Sequence, residues 1–188
     1  MPTFDFKRHP PPDLTSLQIE GERVILRSIE ERYTSEIFIE FTPEITRYMY
    51  PKPAEKREET LAFIAKSLQG MRGGREVVLV ITKKENGEFL GCCGFHGKDH
   101  PRTPELGIWI KKAAHGKKYG REAIKTLTSW AVFHIDFDYA IYPVDKANVA
   151  CRKIPEALGG TIVTERKVKT MSGSYLDEVV YKIPYEML

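Results

Sequence analysis

One segment in the middle of the chain constrains the fold more than any other. Residues 105–110 read Glu-Leu-Gly-Ile-Trp-Ile, which predicts a strand with Glu105, Gly107 and Trp109 on one face. A short loop rich in glycine and lysine follows over 113–120, and the apolar spacing after it indicates a long helix. The first turn of such a helix has unpaired N–H groups that attract anions. On its own residues, the loop fits either an anion site or a plain glycine-rich turn with solvated lysines.

Periodicity over the rest of the chain predicts an alternation of helices and strands. Two helices precede residue 70, one follows the central loop, and one covers 148–158. Asn86-Gly87 is a strong hairpin signal between two of the predicted strands. The strands are expected over 23–27, 77–82, 89–95, 105–110, 139–142, 161–170 and 178–183. This order of elements predicts a mixed α/β or α+β domain.

The ends and the buried faces of the first two helices can also be predicted. Ser28 and Glu31 have the spacing of a capping box, so the first helix is expected to begin there. Gly70 is expected to end the second helix. The buried stripe of that second helix is expected to contain Leu61, Ile64, Ala65 and Leu68.

The length of 188 residues suits one compact domain with a short extension. Pro2 and the three prolines at 10–12 predict an extended N-terminal arm over residues 1–16, which is mobile or packs loosely on the surface. The single folded domain is accordingly expected over residues 17–188.

The composition excludes several classes of protein. Hydrophobic residues make up 41% and charged residues 29% of the chain, which suits a globular core and excludes a disordered or coiled-coil chain. The net charge of +3 argues against an evenly basic nucleic-acid binder, and no aromatic stacking signature accompanies the basic residues at 115–118. The longest apolar runs, such as 77–81, are far too short to cross a bilayer. Neither a nucleic acid nor a membrane is therefore expected as a partner.

The three cysteines favour free thiols. Cys92 and Cys93 are neighbours, so on a strand they would point to opposite faces. Free thiols in a reducing compartment, together with the lack of an apolar signal segment at the amino terminus, predict a cytoplasmic protein. Cys92, Cys93, His96 and His100 have metal-binding chemistry, but no second Cys-x-x-Cys or His-x-x-x-His pair completes a site, so no metal is expected.

Three motifs extend the interpretation of the central segment. Pro-Glu-Ile-Thr-Arg-Tyr-Met lies at 43–49, the strand at 105–110 is followed by Gly-Lys-Lys-Tyr-Gly-Arg-Glu-Ala at 116–123, and Asn-Val-Ala-Cys-Arg at 148–152 precedes Ala-Leu-Gly at 157–159. Together they resemble the GNAT acyltransferases, which use acetyl-CoA, and especially the branch similar to ribosomal-protein N-terminal acetyltransferases. The resemblance covers roughly residues 20–185. It implies a GNAT-like fold, in which a mostly antiparallel mixed sheet flanked by helices splays open after the central strand.

The resemblance also implies a reaction, in which the acetyl group of acetyl-CoA passes to a primary amine by direct attack in a ternary complex. The acceptor would be a protein N-terminus or a small-molecule amine, and a homodimer is common among similar proteins. A non-catalytic domain that binds acyl-CoA for regulation is the alternative. The pantetheine arm would lie in the opening of the sheet and the pyrophosphate on the central loop. The residues expected to hold acetyl-CoA are Trp109, Ile110, His115, Gly116, Lys117, Lys118, Tyr119, Gly120, Arg121 and Asn148.

Two departures from the family pattern concern the loop and the last helix. His115 and Lys118 stand where the family usually has Gln or Arg and the first glycine. If Lys118 adopts a left-handed conformation, the strain is about 1–2 kcal/mol. Pro155 removes one backbone hydrogen bond of the last helix, the one to the Cys151 carbonyl.

The implied reaction assigns catalytic roles to a few residues. Glu105 is the candidate base, with a surface glutamate as the alternative, because a carboxylate can take the proton of an amine directly or through water. A backbone N–H of Trp109 or Ile110 is the expected donor to the oxyanion. Cys151 stands where the family often has serine, and is either the acid for the departing thiolate or a packing residue. Asn148 is expected to cap the last helix, to contact acetyl-CoA, or both.

Overall fold

A computed structural model describes residues 2–188, and the expectations that include Met1 extend beyond these described residues. Within this range the chain forms four α-helices: α1 (Thr34–Glu40), α2 (Arg57–Arg72), α3 (Tyr119–His134) and α4 (Val149–Ala157). It also forms ten strands: β1 (Asp5–Phe6), β2 (Gln18–Glu20), β3 (Val24–Ser28), β4 (Glu76–Lys83), β5 (Phe89–His96), β6 (Glu105–Ile110), β7 (Ile135–Asp136), β8 (Tyr139–Asp145), β9 (Thr161–Lys169) and β10 (Tyr175–Pro184).

Eight of these strands form one sheet, in the order β2-β3-β4-β5-β6-β8-β10-β9. Neighbouring strands are antiparallel except β6 and β8, which run parallel and share a single register pair, Glu105 with Ile141. Beyond that pair the two strands separate, so the sheet opens at its centre. The predicted mixed and mostly antiparallel sheet, splayed after the central strand, is confirmed.

Helices cover both faces of the sheet. Residues 77–81 of β4 are buried without alternation, as expected for a strand with helices on both sides. The α2 helix packs on β4, and Gly70 of α2 lies against Glu76. Gly120 of α3 lies against Ile108 and Ile110 of β6, whose side chains point away from the face that carries Glu105 and Gly107. Helices α2 and α3 therefore pack on opposite faces of the sheet.

The N-terminal arm contributes to the core. Phe4 is only 4% exposed, its ring centroid lies 5.6 Å from that of Phe95, and its N–H donates to the Gly74 carbonyl over 2.8 Å. Strand β1, which follows Phe4, pairs with β7. The expectation of a mobile or loosely packed arm is wrong around residues 4–6, because buried aromatic contacts offset the cost of ordering the chain. The division into an arm over 1–16 and a domain over 17–188 stays a prediction.

Tertiary contacts also change the start of the first helix. Ser28 does not cap it: the hydroxyl of Ser28 donates to the Leu14 carbonyl over 2.8 Å and accepts from the Leu17 N–H over 2.7 Å. A 3₁₀ turn over Glu31–Tyr33 leads into α1 instead. A hydroxyl buried at the end of β3 needs a partner within the fold, and that requirement prevails over the local capping pattern.

The second helix differs from its prediction at one end and in its buried face. It runs through Gly70 to Arg72, with Gly73 at its C-terminal cap. Its buried residues are Thr60, Ile64, Ser67, Gly70 and Met71, whereas Ala65 is exposed. Small residues at 67 and 70 let this helix approach the sheet closely. No helix within residues 2–188 has the length and the apolar character needed to cross a membrane.

Candidate active site

A cleft lies where β6 and β8 separate. It encloses about 850 Å³, which falls within the ~300–1,000 Å³ typical of small-molecule sites. Its walls come from residues 45 and 48–51, from β6, from the loop at 114–121 without Lys117, from 142–144 of β8, and from the first part of α4. The residues predicted to hold acetyl-CoA, except Lys117, therefore line the same space as the catalytic candidates Glu105 and Cys151.

Unpaired backbone N–H groups lie at one end of this cleft. Among the described residues, the amides of 116–121 find no hydrogen-bond acceptor, and the first paired amide of α3 is that of Glu122, which donates to the Lys118 carbonyl over 3.2 Å. The side chain of Lys118 at the helix cap accepts none of these bonds. Six successive free donors at the positive end of a 16-residue helix form an anion-binding cradle.

The backbone of this loop needs two left-handed residues. Gly116 has φ 77°, which glycine adopts without a steric cost. Lys118 has φ 64° and ψ 15°, which is the left-handed conformation considered for this residue because it stands at a glycine position of the family. Lys118 lines the cleft within the run of free amides and carries a positively charged side chain. The left-handed backbone of Lys118 is strained, and the same residue supplies a positive charge where an anion would bind.

The structure places His115 at the cleft and Lys117 outside it. A ring N–H of His115 donates to the Ile110 carbonyl over 2.6 Å and so holds the loop against the end of β6. Lys117 is the one predicted acetyl-CoA residue that does not line the cleft, and its carbonyl accepts from Arg23 instead. The other nine line the cleft.

The alternation of β6 decides which of its amides face the opening. The Lys111 N–H donates to the Leu90 carbonyl next to β5, and the Pro104 carbonyl accepts from Ile141 of β8. In an antiparallel ladder, alternate residues direct their N–H groups to opposite sides. Trp109 therefore directs its N–H to β5, where it is paired, and Ile110 directs its N–H toward the opening. Of the two expected oxyanion donors, the geometry favours Ile110.

Trp109 serves mainly as an aromatic anchor. Its ring lies 4.9 Å from that of Phe41 and 5.7 Å from that of Phe89, centroid to centroid. These contacts pack α1 against the β5–β6 pair. On the same face of β6, Glu105 borders the cleft, and its carboxylate lies 3.3 Å from the Lys98 ammonium.

Across the opening, α4 presents Cys151. Its Sγ lies 2.9 Å from the Tyr142 hydroxyl, and both residues line the cleft. Burial raises the pKa of the Cys151 thiol and raises that of the Tyr142 hydroxyl well above its ordinary value, so both groups hold their protons at neutral pH. Asn148 caps α4, since its Oδ1 accepts from the Cys151 N–H over 3.2 Å, and it borders the cleft as well.

The family follows from the sequence over most of its length. The model for the acetyltransferase (GNAT) domain matches residues 23–161, well over half of the chain. The chain belongs to the GNAT acetyltransferase family. It is therefore an acetyl-CoA-dependent N-acyltransferase that acetylates an amine, as the motifs implied. No curated protein matches this sequence.

Solved GNAT structures share this fold at low sequence identity. A GNAT acetyltransferase from Bacillus anthracis is 18% identical with a TM-score of 0.77, and the match covers 90% of this chain and 99% of that one. An acetyltransferase from Salmonella typhimurium that modifies the N-terminal serine of ribosomal protein L7/L12 is 14% identical with a TM-score of 0.78, over 89% and 99%. The microcin C7 self-immunity acetyltransferase, solved with acetyl-CoA and AMP, is 17% identical with a TM-score of 0.77, over 87% and 93%.

Two residues that line this GNAT cleft were not predicted to act in it. The sequence indicates only a strand position for Tyr142 and only metal-binding chemistry for His96, although both border the cavity. Within residues 2–188, no group of three or more His, Cys, Asp or Glu side chains is arranged to hold a metal ion. The position of His96 opposite Glu105 depends on the pairing of β5 with β6, which no local pattern in the sequence indicates.

The strain at Lys118 leads to a prediction. Lys118→Gly is expected to relieve about 1 kcal/mol of left-handed strain in the free energy of unfolding. It should also weaken acetyl-CoA binding about tenfold, because the loop that is expected to bind the pyrophosphate loses one positive charge. Lys118→Ala is the matched control, since it loses the same charge and keeps the strain. Urea unfolding and calorimetric titration measure both effects, and equal unfolding free energies for the two variants would contradict the assignment of strain.

Proposed function

We propose that the cleft binds acetyl-CoA with its diphosphate on the free amides of residues 116–121 and its thioester beside Ile110. The single observation that carries this proposal is the row of six unpaired N–H groups where the opening of the sheet meets α3. The Lys118 ammonium adds charge to this cradle, and Asn148 borders the path between the loop and α4. A diphosphate fits donors of this kind, because it offers several oxygens to successive amides.

The acceptor amine is proposed to enter from the end of the cleft that Glu105 borders. Tyr48, Tyr50 and Pro51 also line the cleft, and the Met171 N–H in the β9–β10 turn donates to the Tyr50 carbonyl over 3.0 Å. The carboxylate of Glu105 attracts the ammonium form of the amine, and the sequence predicts that it also takes the proton. Gly107, two residues further along the same face of β6, leaves room for the nitrogen to approach the thioester.

The protons of the reaction have defined routes in this proposal. An ammonium group loses two protons when it becomes an amide, and the C–S bond of the thioester breaks as the C–N bond forms. One proton leaves through a base on the acceptor side. The Cys151 thiol, which the Tyr142 hydroxyl contacts at 2.9 Å, gives its proton to the departing thiolate, and Cys151 then takes up the second proton that the nitrogen loses. The Ile110 N–H donates to the oxygen of the tetrahedral intermediate.

A protein N-terminus and a small-molecule amine are both proposed acceptors. An assay of radiolabelled acetyl transfer to N-terminal peptides, polyamines, aminoglycosides and metabolite amines, with products located by mass spectrometry, tests the proposal directly. Tight acetyl-CoA binding without product from any amine would favour the non-catalytic alternative. Absence of acetyl-CoA binding would contradict both. The cytoplasmic location and the homodimer stay predictions.

The role of Glu105 leads to a second prediction. Glu105→Gln is expected to lower kcat/KM for the amine about 100-fold, because the variant neither attracts the ammonium nor accepts its proton. Glu85→Gln, which changes an exposed carboxylate at the β4–β5 hairpin, is the matched control. Steady-state kinetics with acetyl-CoA held saturating measure the effect, and a kcat/KM within twofold of the control would remove Glu105 from the reaction.

A further inference from the structure

Three charged or titratable side chains form a row across three strands. Glu76 of β4 pairs in register with His96 of β5, and His96 pairs with Glu105 of β6. Directly paired residues of an antiparallel sheet point to the same face, so the row lies on the face that carries Gly107 and the acceptor end of the cleft. His96 is thus an imidazole between two carboxylates, and its ring borders the cavity.

The tautomer of His96 is fixed by its partner. Its Nδ1 lies 2.8 Å from Oε2 of Glu76. A carboxylate accepts hydrogen bonds, so Nδ1 carries the hydrogen, and Nε2 of the neutral ring presents a lone pair. In the described part of the chain, Nε2 has no hydrogen-bond partner. A ring held in this way has the orientation and the free nitrogen that a proton acceptor needs.

Glycines make the space for this pair of side chains. A Cβ at Gly94 would collide with the imidazole, including Cε1 at 2.8 Å and Nε2 closer still. A Cβ at Gly70 of α2 would collide with the Glu76 carboxyl group, including Cδ at 2.7 Å. At Gly107 a Cβ would lie 3.8 Å from Nε2, so the ring lies over the glycine between Glu105 and Trp109. Gly94 and Gly107 therefore leave room for the His96 ring, and Gly70 leaves room for the Glu76 carboxyl group that holds the ring.

We infer that His96 is a catalytic residue that takes a proton from the acceptor amine, that Glu76 positions it, and that Glu105 attracts the ammonium. This inference rests on the proposed function. The Nε2 lone pair accepts one proton from the ammonium, the neutral nitrogen attacks the thioester carbon, and His96 releases the proton to solvent after the product leaves. The second proton reaches the thiolate through Cys151. Nε2 lies further along β6 toward Ile110 than the Glu105 carboxylate, which contacts Lys98 at 3.3 Å.

The first arm of the test replaces His96. His96→Gln is expected to lower kcat about 100-fold or more and to leave the Kd for acetyl-CoA unchanged. His100→Gln is the matched control, because His100 is exposed four residues later and lies outside the cleft. In His96→Gly, added imidazole is expected to restore at least a tenth of the wild-type kcat with saturation kinetics. Rescue within one variant is independent of any loss of stability that the substitution causes.

The second arm tests the positioning residue. Glu76→Gln is expected to lower kcat about tenfold with KM for the amine unchanged, and added imidazole is expected not to restore it, because the ring is present but misoriented. Gly94→Ala should have a larger effect, since the Cβ occupies the place of the ring. In Glu105→Gln, the main change is expected in KM for the amine.

The outcomes separate this inference from the proposed function. Product formation by His96→Gln within twofold of His100→Gln, with a large kcat loss in Glu105→Gln, would overturn the inference alone and return the base role to Glu105. Lack of product from the unaltered enzyme with every amine would overturn the proposed function and this inference with it. Lack of imidazole rescue in a folded His96→Gly variant that binds acetyl-CoA would also contradict the proton-transfer role.

Discussion

Replacing Gly107 with valine is expected to abolish acetyl transfer and leave the fold intact. A Cβ at Gly107 meets only the His96 ring, at 3.8–4.0 Å, which is an ordinary contact distance, so a side chain here collides with no backbone atom. Two further methyl groups would occupy the place where the acceptor nitrogen approaches the thioester. Because a displacement of about 1 Å can cost 100-fold in rate, kcat is expected to fall at least about 100-fold. Valine also suits a strand, so the free energy of unfolding should be unchanged or raised.

The measurements for Gly107 separate blocked access from damage to the sheet. Steady-state kinetics and urea unfolding of Gly107→Ala and Gly107→Val form a graded series, in which the alanine variant should lose less activity. If Gly107→Val keeps wild-type kcat, the acceptor does not approach over this residue. If the activity loss accompanies a loss of stability, the effect is on the fold.

Replacing Gly91 with alanine, in contrast to Gly107→Val, is expected to destabilise the fold. Gly91 lies at a bulge in β5 with φ 155°, and a Cβ there would collide with the Trp109 carbonyl oxygen and lie 2.9 Å from Ile110 Cα. Both groups belong to the backbone of β6 and cannot move without breaking the ladder. A loss of about 3 kcal/mol in the free energy of unfolding is expected.

Gly87→Ala is the matched control for this stability measurement. Gly87 has φ 74° at the hairpin, and a Cβ there meets nothing within 4 Å. Its substitution should cost only the left-handed strain, about 1 kcal/mol. Chemical denaturation of both variants tests the difference. Equal losses would mean that β6 yields to the new methyl group, and that the bulge is not fixed by close contact.

The sequence was sufficient for the order of the four helices and the seven longest strands, the hairpin at Asn86-Gly87 and the turn at 113–120 that leads into α3, because these depend on local patterns. The short strands β1, β2 and β7 were not predicted. The family resemblance added the opening of the sheet after Glu105, which no local pattern contains. The left-handed Lys118 could be anticipated in the same way, since it occupies a glycine position of the family.

Contacts between distant segments were not predictable from local patterns. The bond from Nδ1 of His96 to Glu76 depends on the register of β4 against β5, and the room for that carboxylate depends on the rotation of α2 that buries Gly70. The same rotation explains why the predicted stripe of that helix was partly wrong. The choice of Ile110 over Trp109 as oxyanion donor required the alternation of β6, which two backbone hydrogen bonds at its ends define.

The single register pair between β6 and β8 has a consequence for the empty and the occupied enzyme. The eight strands of the sheet depend on that junction for continuity, because five of them lie on the β6 side and three on the β8 side. Helices α3 and α4 bridge the gap. A bound pantetheine arm would supply polar partners to edge amides such as that of Ile110. Bound acetyl-CoA would then connect the β6 side of the sheet to the β8 side. The free energy of unfolding would therefore rise with the concentration of acetyl-CoA.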